Sequence, residues 1–102
     1  MKDITTQLRA LKIYDEAFIE RLPEKINNSD DEIKNAIINW LDNKIEKEIT
    51  VDGISFSLLK ECGMDTINIY LTLDWIRRDS DNAITALKYE FYPIYEYFLN
   101  KQ

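Results

Sequence analysis

The side chains that most often carry catalysis are scarce in this 102-residue chain. Histidine is absent, which excludes Ser-His-Asp and Cys-His nucleophile pairs as well as zinc sites that contain histidine. The single cysteine, Cys62, follows Glu61, and a neighbouring carboxylate disfavours the thiolate that a reactive cysteine needs. We therefore expect Cys62 to be a structural residue.

Patterns for metal or phosphate binding also fail. Asp79, Asp81 and Glu90 have the spacing of positions one, three and twelve of a calcium-binding EF-hand loop, but the ligand and the glycine required between them are missing. Gly53 and Gly63 are isolated and form no phosphate-binding loop. Nineteen acidic residues offer many possible pairs of carboxylates, so the residue types alone do not exclude a hydrolase that uses such a pair. Small helical domains, however, rarely build the cleft that this chemistry requires. We expect no enzymatic activity, no cofactor and no bound metal.

An aromatic cluster near the end of the chain is the least ordinary feature of the sequence. Half of the twelve aromatic residues lie within ten positions: Tyr89, Phe91, Tyr92, Tyr95, Tyr97 and Phe98. Acidic residues but no lysine stand among them, and tyrosines beside carboxylates are typical of protein interfaces, where rings anchor and acids steer. The alternative is that these tyrosines pack beneath the rest of the domain, and both interpretations stay open.

The interface interpretation predicts a surface that binds a protein partner. Its residues are the tyrosines and acids of the last helix and of the turn before it: Tyr89, Glu90, Tyr92, Glu96, Asp79 and Asp81. Should the tyrosines prove to be core residues, the next candidate is the acidic third helix around Asp31, Asp42 and Glu46.

The net charge of −6 is unevenly distributed. Residues 1–29 carry five acidic and five basic side chains, whereas residues 30–102 carry fourteen acidic and eight basic ones. An acidic surface attracts basic partners and repels nucleic acid, although such a charge also simply keeps a small domain soluble. We expect a basic protein partner, no direct binding of nucleic acid and no membrane association, and we leave the oligomeric state open. A lone cysteine and a charged N-terminal segment favour the cytoplasm.

The step Phe91-Tyr92-Pro93, together with the small size, acidity and helical character, resembles the colicin nuclease immunity proteins. In that family a Tyr-Tyr-Pro step on a short helix docks against the toxin, with acidic residues around it. Here Phe91 replaces the first tyrosine, and the step lies near the C-terminus rather than mid-chain. In overall character the chain is similar to small acidic immunity proteins of bacterial contact-dependent toxin systems.

This resemblance implies a toxin-neutralising immunity protein or antitoxin, which binds a cognate basic toxin such as a nuclease and has no chemistry of its own. Two other functions stay open. An acidic mimic of nucleic acid, inhibiting a DNA-binding defence complex, needs regularly spaced carboxylates along an edge. A self-associating structural or regulatory module would bury the tyrosines in a symmetric interface.

Apolar residues recur mostly at helical spacing, and glycine and proline are scarce. The pattern predicts one all-α or mostly α domain over 1–102. We expect a compact bundle of five to seven helices, with one short β-hairpin near residues 49–56 around Asp52-Gly53. Helix starts are predicted at Asp3, Asp15, Ser29 (with Glu32 as a capping box), Asp65 or Thr66, and Asp81.

The same patterns predict where the helices end and which side chains are buried. Pro23 and the asparagines after it should end the second helix, the third should extend to Ile45, and Gly63 should end a short helix. Asp74 is expected at an exposed helix edge, paired with Arg77 or Arg78. The residues predicted to be buried are Leu8, Ile37, Trp40, Leu41, Leu71, Trp75, Leu87 and Phe91.

Overall fold

The computed structural model describes residues 3–90 together with residues 96 and 100. Within residues 3–90 the chain is mostly helical, which confirms the predicted fold class. The elements are α1 (Ile4–Leu11), α2 (Glu16–Asn27), α3 (Asp31–Asn43), β1 (Thr50–Val51), β2 (Ile54–Ser55), α4 (Phe56–Glu61), α5 (Thr66–Arg78) and α6 (Ser80–Glu90). Backbone proximity divides the chain into two compact units, Met1–Lys47 and Glu48–Gln102. The prediction of a single domain over 1–102 stays a prediction.

The first unit consists of α1, α2 and α3, which pack on one another. As predicted, α2 begins after Asp15, whose carboxylate accepts a hydrogen bond from the Phe18 N–H at 2.8 Å. The predicted end of α2 at the asparagines is confirmed, since the helix stops at Asn27, but the predicted break at Pro23 is wrong, because α2 continues through it. A proline removes one helical hydrogen bond, and the buried residues Leu22 and Ile26 on either side keep the helix packed.

The start of α3 differs by one residue from the predicted capping box. Asp30 is the N-cap, and its carboxylate accepts from the Ile33 N–H at 2.9 Å. The Ser29 hydroxyl instead donates to the Lys25 carbonyl at 2.8 Å and so satisfies an acceptor in the last turn of α2.

The end of α3 also differs from the prediction. The helix stops at Asn43, and Lys44 adopts a left-handed conformation with φ 59°. Ile45 consequently lies beyond the helix and is 67% exposed rather than part of its apolar face. The Lys44 ammonium lies 4.8 Å from the centre of the Trp40 ring, which is half-buried rather than buried as predicted.

An exposed ion pair joins α1 to the start of α2. Arg9 donates hydrogen bonds from Nε to both Glu16 carboxylate oxygens, at 2.9 and 3.2 Å, and Nη2 also contacts Oε1. These bonds lower the pKa of the Glu16 carboxyl, and its partial desolvation opposes them. A carboxyl whose pKa is lower in the folded state stabilises the fold above its unfolded pKa. That contribution is lost as the pH falls through the lowered value.

We expect Arg9→Gln to return the pKa of Glu16 towards its ordinary value, because the hydrogen bonds that lower it disappear. The matched control is Arg21→Gln, since Arg21 donates to the Ala17 carbonyl instead. An NMR titration of the Glu16 side-chain carboxyl measures this pKa directly. An unchanged pKa in Arg9→Gln would contradict the assigned cause.

The second unit begins with the predicted hairpin. The antiparallel strands pair Thr50 with Ser55 and Val51 with Ile54. The turn residues Asp52 and Gly53 both have positive φ, at 51° and 82°, which is the type I′ geometry that Asp-Gly favours.

Helix α4 follows at once and ends as predicted. Gly63, with φ 92°, donates its N–H to the Lys60 carbonyl, and the Met64 N–H reaches back to the Leu59 carbonyl at 3.2 Å. These two bonds form a Schellman motif, which satisfies the last carbonyls of α4 and directs the chain into α5.

Helix α5 packs against α4, β1 and α6. Its fully buried residues include Ile67, Ile69, Tyr70, Leu73 and Ile76. The predicted burial of two of its residues is wrong, since Leu71 is half-buried and Trp75 is 37% exposed. Both lie on the side of α5 opposite its buried face. Of the other predicted core residues, Leu8, Ile37, Leu41 and Leu87 are buried, and Phe91 lies outside the described residues.

The expected exposure of Asp74 is also wrong, because this carboxylate is only 2% exposed within the apolar side of α5. The predicted pairing is confirmed: Arg78 Nε donates to Asp74 Oδ2 at 2.7 Å, one turn later. Arg78 itself stays largely exposed. A buried carboxylate requires such a partner, so the pair compensates for the burial of Asp74.

Candidate protein-binding surface

Asp79 forms the junction between α5 and α6. It is the C-cap of α5, and its carboxylate accepts from Asn82 Nδ2 at 2.8 Å while its carbonyl accepts from the Ala83 N–H. Helix α6 therefore starts at Ser80, and Asp81 lies in its first turn rather than capping it as predicted. Because Asp79 already accepts from the side chain and backbone of that turn, the cap position falls two residues earlier.

One side of α6 is fixed and the other is open. Ala83 and Leu87 are buried, and the helix packs against α5. The residues on the opposite side are all exposed: Asp81, Asn82, Thr85 and Tyr89. At 3.6 residues per turn these four positions fall within an arc of about 100°, over about 12 Å of helix. We call them the α6 face, which ends in a tyrosine ring that is 87% exposed.

The structure separates Glu90 from the α6 face. Glu90 is exposed, but it lies about half a turn of the helix away from Asp81. It borders a shallow depression of about 380 Å³ together with Gly63, Met64, Asp65, Asn68 and Thr72. Of the six residues predicted to bind a partner, Asp81 and Tyr89 thus share one face, Asp79 precedes it, and Glu90 belongs to a different surface.

The remaining two predicted residues add less. Glu96 is helical and exposed, and Tyr92 lies outside the described residues. The tyrosine cluster can therefore be judged at Tyr89 alone, where the ring is at the surface.

Sequence reasoning missed Asp52, which belongs beside the start of the α6 face. The Ser80 hydroxyl donates to Asp52 Oδ2 at 3.0 Å, so the hairpin turn is tied to the first residue of α6. The exposed carboxylate of Asp52 thereby joins those of Asp79 and Asp81 at one end of the second unit. These residues are distant in sequence, and no local pattern indicates their proximity.

Charge in the second unit is strongly one-sided. Residues 48–102 contain nine acidic and five basic side chains, and the Arg78 guanidinium is paired with the buried Asp74. Lys88, the one basic residue of α6, is half-buried at the border of the α6 face. The field over this unit is therefore predominantly negative.

The acidic third helix offers a weaker alternative. Asp31 and Asp42 are exposed on α3, and Glu46 is exposed beyond the end of that helix. The Asp42 carboxylate accepts a hydrogen bond from Gln7 Nε2 at 2.8 Å, as those of Asp52 and Asp79 accept from their neighbours, so the difference lies in the charge. The first unit carries eight basic residues against ten acidic ones, so its net charge is smaller.

The surroundings of Cys62 disfavour a reactive thiolate, as its place beside Glu61 indicates. Its side chain is half-buried, and burial raises the pKa of the thiol, with the Glu61 carboxylate raising it further. The thiolate is therefore disfavoured at neutral pH. Within residues 3–90, 96 and 100, no group of three or more acidic or cysteine side chains is arranged to hold a metal ion.

These features define a small, mostly helical protein with an exposed aromatic and acidic face. Comparison with known protein families, characterised proteins and solved structures finds no match. In the part of the chain that the structure describes, no helix has the length and apolar character that crossing a bilayer requires.

Proposed function

We propose that this protein is a toxin-neutralising immunity protein or antitoxin, which acts in the cytoplasm by binding a basic protein toxin and performs no catalysis of its own. The observation that carries the proposal is the 87% exposure of Tyr89, which shares the α6 face with Asp81. A tyrosine ring buries a large area when a partner covers it and loses little side-chain entropy, so tyrosines are frequent binding hot spots.

The rigidity of the helix supports the same function. The α6 face lies directly behind the buried residues Ala83 and Leu87, and Asp79 fixes the start of the helix through two hydrogen bonds. A face that is held in place before binding loses less conformational freedom when a partner docks, which favours affinity.

The charge of the second unit favours a basic partner. The carboxylates of Asp52, Asp79 and Asp81 stand at one end of the α6 face, and Tyr89 stands at the other. Such an arrangement combines long-range steering of a basic protein with an aromatic anchor for the final contact.

The residues of the α6 face favour a protein-binding surface over one that mimics nucleic acid. A mimic requires carboxylates repeated at regular intervals, whereas Asp81 is followed along this face by Asn82, Thr85 and Tyr89. The mixture of one acid, two small polar groups and an aromatic ring is more typical of a protein-binding patch.

Coexpression tests the proposed function. Each gene adjacent to the one that encodes this chain is induced in a bacterial host, with and without this protein. We expect one neighbouring product to arrest growth and this protein to restore growth and to copurify with it. Two variants are compared. Tyr89→Ala should restore growth poorly, whereas Ile45→Ala, which removes an exposed apolar side chain from the first unit, should restore growth like the wild type.

The proposal is contradicted if no neighbouring product is toxic, or if the protein restores growth without forming a complex. A complex with DNA-binding proteins but with no toxin would favour the mimic instead.

A further inference from the structure

The depression bordered by Glu90 is a second surface feature of the second unit. It lies where the end of α6 meets the first two turns of α5, and the Schellman glycine of α4 forms part of its rim. A Cβ atom added at Gly63 would have no heavy atom of the described residues within 4 Å, so on their side this rim has room for an incoming side chain.

The lining of the depression is rich in hydrogen-bond acceptors. Among the described residues, it contains the carboxylates of Asp65 and Glu90, the amide of Asn68 and the hydroxyl of Thr72, and none of the six described lining residues is basic. The side-chain amide of Asn68 donates from Nδ2 to Asp65 Oδ1, and its Oδ1 is a further acceptor in the lining. The Thr72 hydroxyl is oriented by the Met64 sulfur at 3.6 Å, and that thioether supplies an apolar wall.

This combination fits an arginine side chain better than other groups. A guanidinium presents five N–H donors in a planar fork, which suits several acceptors on different walls, and its apolar stem packs well on a thioether. A lysine ammonium is more strongly hydrated and satisfies fewer acceptors at fixed angles. An acidic side chain would meet two carboxylates and be repelled.

Trp75 extends this surface along α5. It follows Thr72 by three residues on the same side of the helix, about 4.5 Å further along the axis, and its indole is 37% exposed. A partner segment whose side chain enters the depression would therefore also cover an aromatic ring, which is a common hot-spot residue.

We propose that this depression binds an arginine side chain of a basic protein partner, with Glu90 and Asp65 as anionic acceptors and Trp75 as the adjoining apolar contact. The inference deepens the proposed function and rests on it for the identity of the partner. It adds a specific subsite, on α5 and the end of α6, to the contact made by the α6 face.

The subsite can be tested before the partner is known. The full chain, labelled with ¹⁵N, is titrated with N-acetyl-arginine amide at constant chloride, and the backbone amides of Gly63, Met64 and Thr72 are followed by NMR. We expect saturable shifts at these amides, with a dissociation constant on the order of 1–10 mM for a single side chain. N-acetyl-lysine amide should bind at least about threefold more weakly.

Two variants with the same change in net charge separate a specific site from general attraction. Glu90→Gln should weaken binding of the arginine derivative at least about threefold, because it removes a charged acceptor. Glu24→Gln removes an exposed carboxylate from the first unit and should bind like the wild type. Glu90 is exposed, so its replacement leaves the folded structure intact.

Several results would overturn the subsite. They are shifts that do not saturate, equal effects of the arginine and lysine derivatives, or equal weakening by Glu24→Gln and Glu90→Gln. If the subsite fails while a toxin still binds through the α6 face, the proposed function stands without it. If the arginine derivative binds as expected but no basic partner exists, the proposed function fails and the subsite remains.

Discussion

Replacing Tyr70 by alanine is expected to lower the free energy of unfolding by about 3–5 kcal/mol. Tyr70 is fully buried at the centre of α5, and its ring lies 5.0 Å from that of Phe56 in α4. Its truncation leaves a cavity between two helices and removes an aromatic contact. A loss of this size is a large part of the stability of a small protein, so the variant should unfold at much lower urea concentration.

Trp75→Ala is the matched control for this prediction. It truncates a still larger aromatic residue of the same helix, but the indole is 37% exposed, so we expect a loss of only about 1–2 kcal/mol. Urea unfolding followed by far-ultraviolet circular dichroism measures both variants without relying on tryptophan emission. Equal losses in the two variants would contradict the orientation of α5.

Replacing Tyr89 by alanine is expected to weaken binding of the toxin by at least about 2 kcal/mol, or roughly 30-fold in Kd. The ring is 87% exposed in the free protein, so its removal should leave stability nearly unchanged while deleting the anchor of the α6 face. Titration calorimetry with the purified toxin measures this loss. Ile45→Ala should bind like the wild type, because it removes an exposed side chain of similar apolar character from the first unit.

Wild-type affinity in a folded Tyr89→Ala variant would exclude Tyr89 as the anchor. The sequence predicts the same loss for Tyr92→Ala, at a position outside the described residues. The sequence predicts that charge reversal at Glu90 chiefly slows association, an effect that should diminish as salt rises. As an acceptor of the proposed arginine subsite, Glu90 should also hold the bound partner, so its reversal should speed dissociation as well.

Local rules were sufficient wherever a few adjacent residues decide the structure. Asp15 caps α2, Asp52-Gly53 forms the tight turn, and Gly63 ends α4, each at the predicted position. In each case one backbone conformation or one capping bond satisfies groups that neighbouring residues leave unpaired, so distant contacts are not needed to specify it.

Burial within α5 was harder to predict because nearly all of that helix is apolar. Such a helix has no clear polar face, so the sequence does not reveal which large residues point outwards. Trp75 was consequently expected inside and Asp74 outside, and both expectations are reversed. The ion pair with Arg78 makes burial of Asp74 tolerable, which composition alone does not indicate.

The candidate surface was predictable only in part. The helical period predicts that Tyr89 shares a face with Asp81, about 12 Å further along the axis, but the break at Asp79 sets where α6 begins and therefore which acids lie on that face. The contribution of Asp52 depends on its hydrogen bond from Ser80, 28 residues away. Contacts over such separations arise from packing and have no signature in the local sequence.

An NMR footprint shows directly whether the α6 face binds a basic protein, as we propose. The ¹⁵N-labelled protein is mixed with the partner that the coexpression experiment identifies, and backbone amide signals are compared with those of the free protein. We expect the largest changes in amide signals on the α6 face, while the amide signals of Ile13 and Ile45 in the first unit keep their positions. Changes confined to α3 around Asp31 and Asp42, with the α6 face unperturbed, would contradict this proposal.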